Sequence, residues 1–236
     1  MAKAGKVGEG ALDGEPTLQA FLDKIDAGGG LVRINEPVAR DYEISAVAME
    51  LDRRKRFPAL LFDNVQGTEF PILTNLFASR RNFAAALGIE EDALIEELAR
   101  RNDQVIEPVL CDKAPVQEVV CKGKDADLGI LPIMKHFSQD AGRYITNAIV
   151  IAKDPDTGVR NASFHRMQVK GATRIGTSLH SRRHLWNYVE RNDTKGEPTP
   201  ILIVIGAHPL FTFGGLWMNM RWSAGSWGAV SRSCRL

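Results

Sequence analysis

The sequence holds three cysteines in 236 residues, Cys111, Cys121 and Cys234, with no metal-type spacing and an odd number to pair. That excludes a cysteine-based zinc site and a disulfide framework, and a reducing cytoplasm is the expected setting. Charge of one sign is also missing: 30 Lys and Arg stand against 29 Asp and Glu, for a net charge of +1. So neutral a chain gives no electrostatic case for nucleic acid or an anionic membrane as partner. No apolar run approaches the ~18 residues of a membrane span. Residues 1–16 lack the apolar core of a secretory signal and read as a flexible leader. Internal repeats and low-complexity tracts are absent. Carboxylates stop early: no Asp or Glu follows Glu197.

What is present is the composition of a globular protein, 44% hydrophobic and 25% charged, in a length suited to one large domain or two small ones. Leu18, Phe21, Leu22 and Ile25 recur at helical spacing, with Thr17 as N-cap and Gly28-Gly29-Gly30 as the stop. Leu31–Ile34 reads as a strand. Ile44, Val47, Ala48 and Leu51 repeat the helical spacing, and Arg53–Arg56 place cations at that helix's C-terminal end, a solvated face that complements the dipole. Ala59–Phe62 and Pro71–Asn75 read as buried strands, and Ser79–Leu87 and Asp92–Arg101 as helices. Periodicity is lost over Asn102–Pro115, which suggests a domain boundary. Beyond it strands dominate: Val116–Cys121, a hairpin, and Pro200–Ile205, with Leu179–Arg191 as the helical candidate. The expected fold class is α/β, a mixed α/β first domain followed by a β-rich one.

The most informative stretch runs from Tyr144 to Trp186. Tyr144–Ala152 is rich in β-branched residues, Asp154-Pro155-Asp156-Thr157-Gly158 is turn chemistry, and Val159–Val169 returns as a second strand. The two are expected to pair antiparallel. The returning strand carries Asn161, Ser163, His165, Arg166 and Gln168. A strand that only filled a core would not hold so many polar groups, because each needs a partner when buried. A polar site on a rigid sheet is the better reading.

Asn161-x-x-x-x-Arg166-Met167-Gln168, followed by His184 in Arg182-Arg183-His184-Leu185-Trp186, resembles the UbiD-like decarboxylases. Matches in order and spacing run from about Thr17 to about Gly215. They include Gly30–Ile34, Pro58–Gly67, Asn75–Arg81, Pro115–Val120, Asp127–Ile133 and Asp140–Thr146. The resemblance implies domains over 17–108 and 109–218, the second a split-barrel flavin-binding domain. It implies reversible, non-oxidative loss of CO₂ from an aromatic or α,β-unsaturated carboxylic acid. It further implies prenylated FMN, supplied by a flavin prenyltransferase, together with Mn²⁺ and K⁺, and a homo-oligomer.

Residue by residue, the resemblance places the cation on Asn161 and His184. Amide oxygen and imidazole suit a hard to borderline octahedral ion. By residue type alone, Asn161 reads more readily as a local hydrogen-bonding residue and His184 as a surface or satisfied core histidine. Arg166 is the implied catalytic residue, its planar fork matching a substrate carboxylate. Thr146 and Gln168 match flavin-lining positions, although both also read as ordinary strand residues. Ser163, Phe164 and His165 would approach the phosphate. Arg182 and Arg183 are phosphate partners or solvated charges. His136, His165, His180 and His208 have no second ligand at metal spacing. Alternation places Asn161 and Arg166 on opposite faces of an ideal strand, so one site needs a bulge, twist or bend between them.

The chain departs from the pattern after about Met218. Ser226 stands near where the metal carboxylate is expected, and the family's catalytic glutamates have no counterpart. Residues 219–236 read as a non-native tail on a truncated or frame-shifted member. The expectation is a catalytically impaired decarboxylase; the alternative is a non-catalytic remnant that binds flavin phosphate.

Overall fold

A computed structural model describes residues 17–102, 115–181 and 183–216. The expected leader, the boundary segment within 103–114, Arg182, Ser226 and the 219–236 tail lie outside them. The first half is a three-stranded sheet flanked by helices. Helix α1 (Leu18–Ala27) starts at Thr17, whose hydroxyl accepts from Ala20 N at 3.0 Å. It is followed by β1 (Leu31–Ile34), α2 (Glu43–Arg53), β2 (Ala59–Phe62), β3 (Ile72–Thr74), α3 (Arg80–Leu87) and α4 (Leu94–Asn102). Strand β2 is central, parallel to β1 and antiparallel to β3, and buried along its whole length. Phe21, Leu22 and Ile25 of α1 pack with Ala59 and Leu61, while Ile44 of α2 packs with Leu60 and Phe62. The alternation of β2 therefore serves two helical layers, which is why it reads as a continuous apolar run.

The second half is β-rich, as expected. Its elements are β4 (Tyr144–Ile145), β5 (Ile149–Lys153), β6 (Arg160–Phe164), β7 (Met167–Gly171), β8 (Arg174–Thr177), α5 (His184–Asp193), β9 (Ile201–Val204) and α6 (Pro209–Leu216). The hairpin forms through Asp154–Gly158, with Gly158 at φ +72° and Gly158 N donating to Asp154 O at 2.9 Å. Its strands are not continuous, however. Strands β5 and β6 join β9 in one sheet of order β6-β5-β9, while β4 and β7 join β8 in another. The registers show why. Ile145 pairs with Met167 and Ile149 with Phe164, so three residues, Thr146, Asn147 and Ala148, lie opposite two, His165 and Arg166. The extra residue is a bulge that turns the ribbon from one sheet into the next.

Three sequence expectations need correction. Val116–Cys121 is not a strand; Pro115–Gln117 form a 3₁₀ turn, and Val116, Val119 and Val120 are exposed. An apolar run becomes a strand only where a neighbour completes its ladder, and no described strand lies beside this one. Helix α5 starts at His184, five residues later than Leu179, because Arg183 is extended (φ −107°, ψ 151°) and caps it. Helix α6 was not foreseen, since Pro209-Leu-Phe-Thr-Phe-Gly-Gly-Leu216 carries two glycines and a threonine. Packing makes it helical. Leu210 enters the core of α1 and α3, and Phe213 lies 4.3 Å from Phe83, ring centre to ring centre. The close approach of α6 to the hairpin sheet requires Gly215, where a Cβ would come within 3.2 Å of Ile149 Cδ1.

Candidate functional site

The site is built where α5 crosses the hairpin sheet. Val150 and Ala152 of β5 pack with Leu185 and Tyr188 of α5. Opposite them in register stand Ser163 and Asn161, so these two polar side chains face α5 as well. The far end of α5 is tied to the hairpin turn. Arg191 donates to Asp154 at 2.7 Å and also pairs with Asp156, which accepts from Lys195 at 3.0 Å. The Arg191 guanidinium, helped by backbone donors, holds the Asp154 carboxyl down at about 2. Fastened at that end, α5 presents its first residue, His184, over β6.

There His184 Nδ1 lies 2.9 Å from Asn161 Oδ1, although 23 residues separate them. Asn161 is 8% exposed. Its Nδ2 donates to Ser163 Oγ at 3.2 Å, and Ser163 Oγ lies 2.9 Å from His165 Nε2. A carboxamide nitrogen can only donate, which leaves the hydroxyl proton of Ser163 for the His165 ring. Burial, and secondarily the neighbouring Arg183, push the His165 pKa down and favour the neutral ring that can accept it. Four side chains thus form one directed chain: His184 to Asn161, Asn161 to Ser163, Ser163 to His165.

The donor pair fits a cation on geometric grounds. Two adjacent ligands of an octahedral ion bound at ~2.0–2.1 Å are themselves about 2.9 Å apart. The Asn161 oxygen and the His184 nitrogen have that spacing, provided His184 moves its proton to the other ring nitrogen, as metal binding by histidine requires. Among the described residues no group of three His, Cys, Asp or Glu side chains could hold a metal.

Arg166 sits beyond the bulge, between β6 and β7. It is exposed, with its guanidinium 5.2 Å from the centre of the Tyr144 ring, and its carbonyl accepts from Thr177 Oγ1 at 3.2 Å. Among the described residues it forms no ion pair, so the fork is open to an external carboxylate. Gln168 is turned to the backbone, donating to Ala141 O at 3.0 Å, and a Cβ on Gly142 would lie 3.0 Å from its Nε2. Thr146 is exposed at the bulge and Phe164 is half-buried. The structure thus gathers Asn161, Ser163, His165 and His184 into one network, with Thr146 and Arg166 at the adjoining bulge and Gln168 one step further. Sequence reasoning missed Tyr144 beneath Arg166, and missed the role of the Ser163 and His165 side chains as links to Asn161. Tyr144 lies inside the Asp140–Thr146 motif, so the signal was at hand; the Ser163–His165 spacing of two on one strand face was another.

His208 is not part of this site. It is buried beside Phe21, ring centres 5.6 Å apart, and its Nδ1 accepts from Leu210 N at 3.2 Å at the start of α6.

Residues 22–101 match the N-terminal domain of 3-octaprenyl-4-hydroxybenzoate carboxy-lyase, and residues 108–221 match its Rift-related domain. The phenolic acid decarboxylase of Streptomyces sp. (strain D7) is 34% identical over 206 residues, covering 82% of this chain and 43% of that protein. The UbiD-class enzyme HmfF from Pelotomaculum thermopropionicum, in complex with FMN, is 38% identical with a TM-score of 0.76, over 82% of this chain and 43% of that one. An evolved dimeric form of the same enzyme, in complex with prFMN, is 37% identical with a TM-score of 0.75, over 82% and 45%. The chain therefore spans less than half the length of each. Among the described residues no helix is long and apolar enough to cross a membrane.

Proposed function

The chain belongs to the UbiD family of carboxy-lyases, and on that premise we propose that it acts in the reversible, non-oxidative decarboxylation of an aromatic or α,β-unsaturated carboxylic acid with prenylated FMN and Mn²⁺. The observation that carries the reading is the 2.9 Å approach of Asn161 Oδ1 to His184 Nδ1, two unlike donors at the spacing of adjacent metal ligands. Prenylated FMN supplies the electron sink that an sp² carbon losing CO₂ otherwise lacks. The chain's own share is binding and orientation. Asn161 and His184 would hold the cation, whose charge would offset that of the flavin phosphate. Ser163, Phe164, His165 and Arg183 border the phosphate side, and Thr146 and Gln168 border the flavin. Arg166 takes the substrate carboxylate in its fork and sets the angle of the bond to be broken. A flavin prenyltransferase as cofactor source, K⁺ as companion ion, a homo-oligomeric state and a cytoplasmic setting follow from the same premise.

The test is to supply prenylated FMN and Mn²⁺ and to measure flavin retention and CO₂ release over a panel of aromatic acids. Asn161→Ala and His184→Ala are expected to lose Mn²⁺-dependent retention, whereas Arg166→Ala keeps the flavin and loses turnover. Retention indifferent to both Asn161 and His184 defeats the reading.

A further inference from the structure

We propose that Ser163 and His165 are positioning residues that orient the Asn161 carboxamide, keeping its oxygen rather than its NH₂ toward His184, and so determine whether this face can accept a divalent cation. The inference rests on the cation reading above and adds to it the residues that make the donor pair a donor pair.

A carboxamide has an oxygen on one side and an NH₂ on the other, and a half-turn about its last bond exchanges them. The shapes are nearly identical, so neighbouring donors and acceptors decide the orientation. Asn161 is buried, and among the described residues its amide has two side-chain partners. His184 Nδ1 lies on one side at 2.9 Å and Ser163 Oγ on the other at 3.2 Å. Neither neighbour decides alone, because a neutral imidazole nitrogen and a hydroxyl can each donate or accept. The reversed chain, with Asn161 Nδ2 donating to His184 and Asn161 Oδ1 accepting from Ser163, satisfies the same two contacts. In that state an NH₂ faces His184, and no cation binds to it.

The direction is set by the tautomer of His165, one residue further on. Ser163 Oγ also lies 2.9 Å from His165 Nε2. While that nitrogen carries a lone pair, the Ser163 proton goes to it, and the Ser163 oxygen is left to accept from Asn161 Nδ2. The amide oxygen then faces His184. His165, Ser163 and Asn161 stand at alternate positions of one strand and its end, so their side chains share a face without any distortion of the backbone. Outer groups that orient a ligand in this way typically contribute about 10–100-fold in metal affinity.

The test measures Mn²⁺ affinity of the full chain by calorimetric or paramagnetic titration, without turnover. Ser163→Ala frees the carboxamide to turn and is expected to weaken Mn²⁺ binding by about two- to tenfold, twofold where the two orientations become equal and more where the NH₂ side comes to face His184, and Ser163→Thr, which keeps the hydroxyl, to restore it. His165→Phe should behave like Ser163→Ala. The decisive arm is the Asn161→Asp background. A carboxylate presents oxygen whichever way it turns, so there Ser163→Ala should leave the affinity unchanged. An equal loss in both backgrounds identifies a general structural role and overturns the proposal, as does no loss in either. Ring ¹⁵N shifts of the metal-free wild type give an independent reading. His184 protonated at Nδ1, with the Nε2 of His165 unprotonated, supports the proposal; the opposite pair of tautomers overturns it. A wild type whose Mn²⁺ binding is absent, or insensitive to His184→Ala, defeats the cation reading itself and this inference with it.

Discussion

Asp41 and Arg143, 102 residues apart, form a two-bond ion pair, Arg143 Nε and Nη2 each donating to Asp41 at 3.0 Å. The pair joins the segment before α2 to the start of the β-rich half. Beside it Tyr42 N donates to Lys135 O at 2.9 Å, and Lys135 Nζ lies 5.5 Å from the centre of the Tyr42 ring. The Arg143 hydrogen bonds are the main reason the Asp41 carboxyl titrates below its ordinary range. Both side chains are 37% exposed, so solvent screens much of the attraction. Asp41→Asn is expected to cost about 0.5–1 kcal/mol in chemical denaturation. Its effect should shrink in 1 M salt, and salt-independent destabilisation would show that the loss is packing rather than charge.

Arg143 leads directly into Tyr144, on whose ring Arg166 rests. Tyr144→Ala should weaken binding of a substrate acid to the flavin-loaded protein by about two- to fivefold, the worth of an exposed cation–π contact. Tyr144→Phe should leave it unchanged. The measurement is equilibrium titration with the acid, and unaltered binding in Tyr144→Ala removes Tyr144 from the account.

His208 predicts a pH dependence of folding. Burial, and then Lys24, push its pKa down to about 4 from the ordinary 6.5. Below 6.5 the unfolded chain takes up a proton that the folded one refuses, so the contribution is complete above 6.5 and is lost as pH falls toward 4. At about 1.4 kcal/mol per unit, the full effect is on the order of 3–4 kcal/mol. His208→Asn keeps an acceptor for Leu210 N and does not titrate. Comparison of urea midpoints between pH 7 and 4 should show the wild type falling more steeply than the variant, and parallel slopes would refute the assignment.

Gly215 predicts intolerance of volume where α6 meets β5. A single methyl there lies 3.2–3.4 Å from three Ile149 carbons, and Ile149 is 2% exposed and cannot withdraw. Gly215→Ala gains helix propensity of about 1 kcal/mol and loses some or all of it to the contact. Gly215→Leu cannot fit without moving α6, and is expected to cost about 1–3 kcal/mol. Thermal unfolding of the two variants should separate them clearly; equal melting temperatures would mean that α6 is free to shift.

Some of this was legible without coordinates. Thr17, the apolar positions of α1 and the glycines after it define that helix within one short segment, and the Asp154–Gly158 turn defines the hairpin. Capping, periodicity and turn geometry depend on residues a few positions apart, so the local sequence is sufficient for them. The spacing of Asn161, Arg166 and His184 likewise carried the family. The bulge at Thr146–Ala148 was foreseeable only as a need, because alternation showed that Asn161 and Arg166 could not share a straight strand. Which strand would carry the extra residue, and that the ribbon would enter two sheets there, depended on partners β8 and β9.

The tertiary structure alone decided the rest. That Pro209–Leu216 is a helix follows from a core of Phe21, Leu22, Phe77 and Phe83 that receives it, since its own glycines and threonine argue against helix. That Val116–Cys121 is not a strand follows from the lack of a described neighbour to complete its ladder. The identities of Asn161, Ser163, His165 and His184 were plain in the sequence, but their order in one hydrogen-bonded chain was not. Contacts between groups far apart in sequence depend on how α5 lies across β5 and β6. That placement is set by Leu185 and Tyr188 against Val150 and Ala152 and by Arg191 against the hairpin turn, which no local pattern encodes.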